Sequence, residues 1–132
     1  MKLELTFTDF CSQINGRVEG VPYSDLIQEV VYDTRKINPS AGLVFFALTG
    51  PFRQGESYIS AAYEKGVRVF VVHQVPVNKW SDASFIVVKD TLSALQLLAK
   101  NYRNKLHYPI LAIAGSLGKT TAKEWLYHLL AG

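Results

Sequence analysis

Two runs in this chain leave a β-strand no polar face: Leu43–Leu48, reading LVFFAL, and Val67–Val72, reading VRVFVV. Side chains of a strand alternate between its two faces, so a run apolar at nearly every position has to be covered on both sides. An antiparallel sheet open to water on one side does not accept such strands. A sheet sandwiched between helices does. The intervening stretches fit that demand, because the hydrophobic period switches repeatedly between strand-like and helix-like. The pattern predicts an α/β fold.

Read along the chain, Thr8–Ile14 forms a short helix capped by Thr8 and stopped near Asn15-Gly16. Gln28–Arg35 reads as a strand ending in a polar turn, and Asn38–Gly42 as a turn before the first buried run. Thr49–Ser57, TGPFRQGES, is a glycine-bearing loop leading into a helix over YISAAYEK, with Gly66 at its C-cap. Ser84–Val88 is another strand. From Thr91 the period turns helical, with Leu92, Leu95, Leu98, Ala99 and Tyr102 on one face and Asp90 or Thr91 as the cap. Tyr108–Gly115, YPILAIAG, reads as a final strand. A last helix follows, with Ala122, Trp125, Leu126, Leu129 and Leu130 as its apolar stripe. The polar stretch Arg103–Pro109 is the natural boundary, giving one domain over 1–105 and the opening strand, loop and helix of another over 106–132. On this reading the chain is a fragment. Its last helix must fold back, pair with a second copy or stay poorly ordered.

Composition removes several function classes. With one cysteine, Cys11, neither an intrachain disulfide nor a cysteine metal cluster can form. His73, His107 and His128 share no ligand-like spacing. The net charge of +3 is spread over separate segments, so there is no stripe for nucleic acid. No apolar run is long enough to span a membrane, and nothing resembles a signal peptide, which makes the cytoplasm the expected compartment.

The chemistry concentrates at Gly115–Thr121, GSLGKTT. Glycines allow the backbone to aim N–H groups at phosphate oxygens, and the following helix adds its unpaired amides and positive dipole end. Gly115, Ser116, Leu117, Gly118, Lys119, Thr120 and Thr121 are therefore candidate nucleotide-binding residues. Lys119 would reach the β and γ phosphates of ATP, and the Thr120 hydroxyl would ligate Mg²⁺. The longer G-x-x-x-x-G-K-[ST] pattern is not met, because its first glycine falls at Ile113. A plain strand-to-helix turn is the competing reading.

Four blocks occur in one order: VVYDTRKINPSAGLVFFALTG, GESYISAAYEKGVRVFVV, FIVVKDTLSALQLLAKNYR and ILAIAGSLGKTTAKEWL. From about Thr6 onward that series resembles the start of the Mur ligases, above all the branch (MurF type) that adds D-Ala-D-Ala to a UDP-muramoyl tripeptide. KEWLYHLL and GVRVFVV look most like the form fused ahead of an alanine racemase. The resemblance implies a MurE/MurF-type N-terminal UDP-binding domain with a mixed sheet flanked by helices. It also implies the first strand, P-loop and helix of the central ATPase domain. As a whole protein it would be an ATP- and Mg²⁺-dependent ligase of peptidoglycan synthesis, with UDP-MurNAc-tripeptide and D-Ala-D-Ala as substrates. Its reaction would pass through an acyl phosphate, with Lys119 and Thr120 catalytic. The 132-residue chain alone would be inactive.

The resemblance carries over to Thr34 and Arg35, which match a D-S-R block near the uridine site, and to Gly50 and Gly55 of the glycine loop. A bracing pair between Asp33 and Arg35 is the alternative, as is a turn that needs Gly55 only for positive φ. Gln54 and Glu56 stand where the family has Asp and His, Leu117 where it has Asn, and Ala114 where Thr is common. Those departures motivate a second reading, a non-catalytic UDP-sugar-binding module with a degenerate phosphate loop. A third is another ligase of the superfamily, of MurE or folylpolyglutamate type.

Overall fold

A computed structural model describes residues 2–132. Its centre is a six-stranded sheet in the order β1-β3-β4-β7-β8-β2, built from Lys2–Leu5, Ile27–Val31, Leu43–Phe46, Val69–Val72, Ser84–Val87 and Arg17–Gly20 respectively. The four inner strands β3, β4, β7 and β8 run parallel, and β1 and β2 close the edges antiparallel. The sheet is mixed, as expected.

Helices cover both faces, and the strand alternation shows why. On one face Val44, Phe46, Val69, Val71 and Ile86 meet Phe10 of α1 (Phe7–Gln13) and Leu98 of α3 (Thr91–Asn104). On the other, Phe45, Phe70 and Phe85 meet Ile59 and Ala62 of α2 (Ile59–Glu64). Both LVFFAL and VRVFVV thus have their two faces buried. Each such side chain removed from water contributes roughly 1.5–3 kcal/mol before the cost of ordering it.

Local chemistry sets the element ends. The cap of α1 is Thr6, whose Oγ1 accepts from the Asp9 N–H at 3.1 Å; the expected Thr8 lies inside the helix. Asn15 takes φ +53° and ends that helix as expected. Asp90 caps α3 by accepting from the Ser93 N–H at 3.0 Å. The buried face of α3 is Thr91, Ala94 and Leu98 with Leu95 and Tyr102 half-buried, so Leu92 and Ala99 fall outside it. Gly66, at φ +94°, ends α2.

Two strand expectations are corrected, and the three-way expectation for the last helix is narrowed. The strand expected over Gln28–Arg35 stops at Val31, because Asp33 turns the chain into a short 3₁₀ turn over Thr34–Lys36. The strand expected over Tyr108–Gly115 does not form: no neighbouring strand offers a hydrogen-bond ladder, and Ile110 and Leu111 lie exposed. The last helix, α4 (Lys119–Leu130), buries none of its residues, so it does not fold back on the sheet. No helix among the described residues is long and apolar enough to cross a membrane.

Candidate functional site

Ligands of open parallel sheets bind outside the carboxyl ends of the strands. At the ends of β3 and β4 this fold opens a cavity of about 830 Å³. One wall is the turn Tyr32–Arg35 that follows β3. The other is the chain leaving β4: Leu48, a tight hairpin pairing β5 (Thr49–Gly50) with β6 (Arg53–Gln54), and a 3₁₀ turn over Gly55–Tyr58. Thr34, Arg35, Gly50 and Gly55, far apart in sequence, line this one space. Gln54 lines it as well.

Arg35 is not a solitary cation. Its Nη2 donates to Asp33 Oδ2 at 2.7 Å and its Nε to Asp33 Oδ1 at 3.0 Å, while its backbone N–H donates to Oδ1 at 3.0 Å. The bracing pair therefore exists. The guanidinium side-chain hydrogen bonds, then the backbone one, hold the Asp33 carboxyl well below the usual carboxylate range. The pair occupies the Nε–Nη2 edge of the planar fork, and Nη1 makes no hydrogen bond among the described residues. A fork fixed on one edge can still offer its other donors to a phosphate. Lys65 Nζ donates to the Thr34 carbonyl at 2.7 Å, tying the turn to the end of α2.

Gly55 has a reason other than the expected one. Its φ is not positive, but a Cβ there would lie 2.4 Å from Ala47 C and from Leu48 N. The 3₁₀ turn presses directly onto the backbone leaving β4, and only glycine permits that approach. Gly50, by contrast, has open space around it. Thr49 N donates to the buried Thr91 Oγ1 at 3.2 Å, which fastens the hairpin to the start of α3. Sequence reasoning missed the aromatic walls Tyr32, Phe52 and Tyr58. Their signal was three aromatic residues flanking the D-T-R turn and the glycine loop.

The candidate phosphate loop takes positive φ at its two glycines. Gly115 lies at φ +150° and Gly118 at φ +75°, the latter directly before α4 with no side chain capping the helix. The first amides of α4 are thus open, and Lys119 and Thr120 are its first two residues. All of Gly115–Thr121 is exposed, including Leu117 at 94%. Uncapped amides, a lysine and a hydroxyl suit the phosphates of ATP with its Mg²⁺, which keeps most of its ligands from water and phosphate. Among the described residues no group of three His, Cys, Asp or Glu side chains is placed to hold a metal. The cavity is walled by residues 32–58 alone, so the structure does not bring the loop into it.

Comparison with known proteins follows the same lines. No family profile matches the chain. It is 31% identical over 129 residues to the UDP-N-acetylmuramoyl-tripeptide–D-alanyl-D-alanine ligase of Bacillus subtilis, covering 97% of this chain and 28% of that protein. It is 34% identical over 110 residues to the UDP-N-acetylmuramoyl-L-alanyl-D-glutamate–2,6-diaminopimelate ligase of Clostridium tetani, covering 79% and 22% respectively. A crystal structure of MurF from Acinetobacter baumannii superposes with a TM-score of 0.80 at 26% identity, over 98% of this chain and 28% of that one. The chain thus spans about a quarter of the length of the relatives it matches. The likeness to a racemase-fused form finds no support among them.

Proposed function

The chain belongs to the Mur ligase family, and from that premise we propose that it is the substrate-holding front of an ATP-dependent amide ligase of peptidoglycan synthesis. Residues 1–105 would hold the UDP end of UDP-MurNAc-tripeptide, and 106–132 would open the ATP-binding domain. D-Ala-D-Ala would be the incoming amine. The observation that carries the reading is the cavity itself, which gathers Thr34, Arg35, Gly50 and Gly55 at the carboxyl ends of parallel strands.

The division of labour follows from the residues. Arg35, oriented by Asp33, faces the diphosphate with the unused edge of its fork. Thr34 offers a hydroxyl beside it, and Gly55 lets the far wall close onto β4. At the other end of the chain, Gly115–Gly118 and the first amides of α4 hold phosphate, with Lys119 on the terminal groups and Thr120 on the metal. Bound ATP supplies the phosphoryl group that turns a carboxylate, a poor electrophile, into an acyl phosphate open to attack by an amine. The chain's own contribution is to hold one substrate by its nucleotide.

Calorimetric titration of the 132-residue chain with a UDP-MurNAc peptide tests this. Saturable binding that Arg35→Ala weakens at least tenfold, and that needs no Mg·ATP, is expected. The full-length protein is expected to hydrolyse ATP in a D-Ala-D-Ala-dependent way, and the 132-residue chain is not. Binding indifferent to Arg35, or ligation by the short chain, overturns the proposal. Diaminopimelate in place of D-Ala-D-Ala is the second reading, favoured by the 34% identity to the Clostridium tetani enzyme. Turnover of the full-length protein with each amine decides between them.

A further inference from the structure

Aromatic rings in this molecule fall into two sets. Around the edge of β7 and β8, Tyr63 stacks on Trp80 with centroids 4.1 Å apart, Trp80 on Phe70 at 6.4 Å, and Phe70 on Phe85 at 5.5 Å. Arg68 lies 4.0 Å over the Tyr63 ring, and the Tyr63 hydroxyl donates to Asp82 at 2.7 Å. Every ring there has a partner.

The rings around the cavity have none. Tyr32 is 50% exposed, Tyr58 54% and Phe52 99%, and none of the three packs against another ring among the described residues. Tyr32 and Tyr58 keep half their surface on the walls, and each carries a hydroxyl that favours a wet position. Phe52 has neither excuse. It is a phenyl ring with water on all sides, held at the rim of an 830 Å³ space. It sits in the turn between β5 and β6, whose register pairs Thr49 with Gln54 and Gly50 with Arg53. The Thr49–Thr91 hydrogen bond anchors one leg of that hairpin, and the close approach of Gly55 to Ala47 and Leu48 anchors the other.

We propose that Phe52 is the base-stacking residue of this cavity: its ring covers the flat face of the nucleobase of a nucleoside diphosphate whose phosphates Arg35 takes. The inference rests on the reading of the cavity as a nucleotide site and adds the element that holds the base. A phenyl ring has no hydrogen-bonding group, so a flat π-face and shape are all it offers, and any base–aromatic contact uses those. A hairpin fastened at both legs presents that ring at the rim of the cavity. Arg35 recognises charge, which pyrophosphate shares with UDP; Phe52 recognises the ring, which pyrophosphate lacks.

The test titrates the 132-residue chain with UDP and, separately, with inorganic pyrophosphate, for the wild type, Phe52→Ala and Phe52→Trp. Because Phe52 is exposed, both variants are expected to keep the wild-type far-UV spectrum and thermal midpoint. Phe52→Ala is expected to weaken UDP about tenfold or more and to leave pyrophosphate binding unchanged. Phe52→Trp is expected to retain UDP affinity, with a fluorescence change on adding UDP that is absent from the wild type and not produced by pyrophosphate. Wild-type binding of UDP that Phe52→Ala does not weaken overturns the stacking role and leaves the cavity reading standing. Equal loss of UDP and pyrophosphate affinity in Phe52→Ala also overturns it, because Phe52 would then shape the site as a whole. A wild-type chain that binds neither ligand sinks both readings together.

Discussion

The cavity at the ends of β3 and β4 and the loop Gly115–Thr121 both offer an anion the same kinds of donor, a cation beside a tight backbone turn, yet their surroundings are opposite. At the cavity, Arg35 is clamped by Asp33, its turn is tied down by Lys65, and the facing wall is pressed against β4 through Gly55. At the loop, Lys119 has no ion pair among the described residues, α4 buries nothing, and the segment expected to lead in as a strand has no neighbour. One candidate site is organised by a complete sheet; the other has a phosphate-loop-like sequence and an open helix start without packing behind it. A binding geometry is thus inherited from the layer beneath it, and the motif alone does not supply that layer.

The largest effect tests the packing half of that contrast. Phe46 is fully buried between α1 and the sheet, with its ring 6.2 Å from that of Phe10. Phe46→Ala is expected to lower unfolding stability by about 3–5 kcal/mol in urea titration. Leu129→Ala, on the exposed face of α4, is expected to change it by less than about 0.5 kcal/mol. A comparable loss from Leu129→Ala would show that α4 is covered in solution, for instance by a second copy of the chain, and sedimentation at several concentrations would identify that cover.

Glycine substitutions sharpen the same contrast. Alanine at Gly55 would drive its Cβ to 2.4 Å from backbone atoms of Ala47 and Leu48, which cannot yield as a side chain does. Gly55→Ala is expected to cost about 1–3 kcal/mol and to abolish nucleotide binding at the cavity. Gly118 has nothing within 4 Å of a notional Cβ, so alanine there meets only the penalty of φ +75°, about 1 kcal/mol. That penalty falls on the loop alone, and the midpoint of the sheet's unfolding is expected to stay where it is. A larger shift from Gly118→Ala than from Gly55→Ala would reverse the assignment of which turn is built into the fold.

The same division decides what could be read in advance. LVFFAL and VRVFVV announced a doubly covered sheet because burial on both faces leaves a one-dimensional trace. Gly66, Asp90 and the Asn15 stop were legible because caps act within a few residues. Lys2–Leu5 and Arg17–Gly20 are four-residue edge strands, too short for their alternation to stand out, and they exist because β3 and β8 need edge partners. Tyr108–Gly115 misled for the converse reason: its sequence is strand-like, but a strand is a property of a pair. Of the cavity lining, Thr34, Arg35, Gly50 and Gly55 were named through the family resemblance, whereas the bulk of the wall was not. Phe52 reads as an ordinary loop residue until the hairpin places it at the rim of the cavity. The role of Gly55 in a close approach was equally invisible, since nothing local distinguishes it from a glycine chosen for positive φ.

The smallest expected effect concerns how Arg35 is held. If the Asp33 carboxylate fixes one edge of the guanidinium, Arg35→Lys keeps the charge but loses the planar fork, and UDP affinity should fall about tenfold. Lys119→Arg in the same chain should leave UDP affinity unchanged, since the loop lies outside the cavity wall. Asp33→Asn should weaken UDP less than Arg35→Lys, because the charge and the fork both survive and only their orientation is loosened. The pH dependence carries the sign. Arg35 hydrogen bonds hold the folded-state pKa of Asp33 below its ordinary value, so whatever the pair contributes is present above about pH 4 and is lost only as the pH falls through that lowered value. The difference in UDP affinity between wild type and Asp33→Asn should therefore be flat from pH 7 to pH 5, and should shrink with added salt because the pair is exposed. A difference that disappears already between pH 6 and pH 5 would mean that Asp33 titrates above the ordinary carboxylate range, and that Arg35 does not hold its charged form.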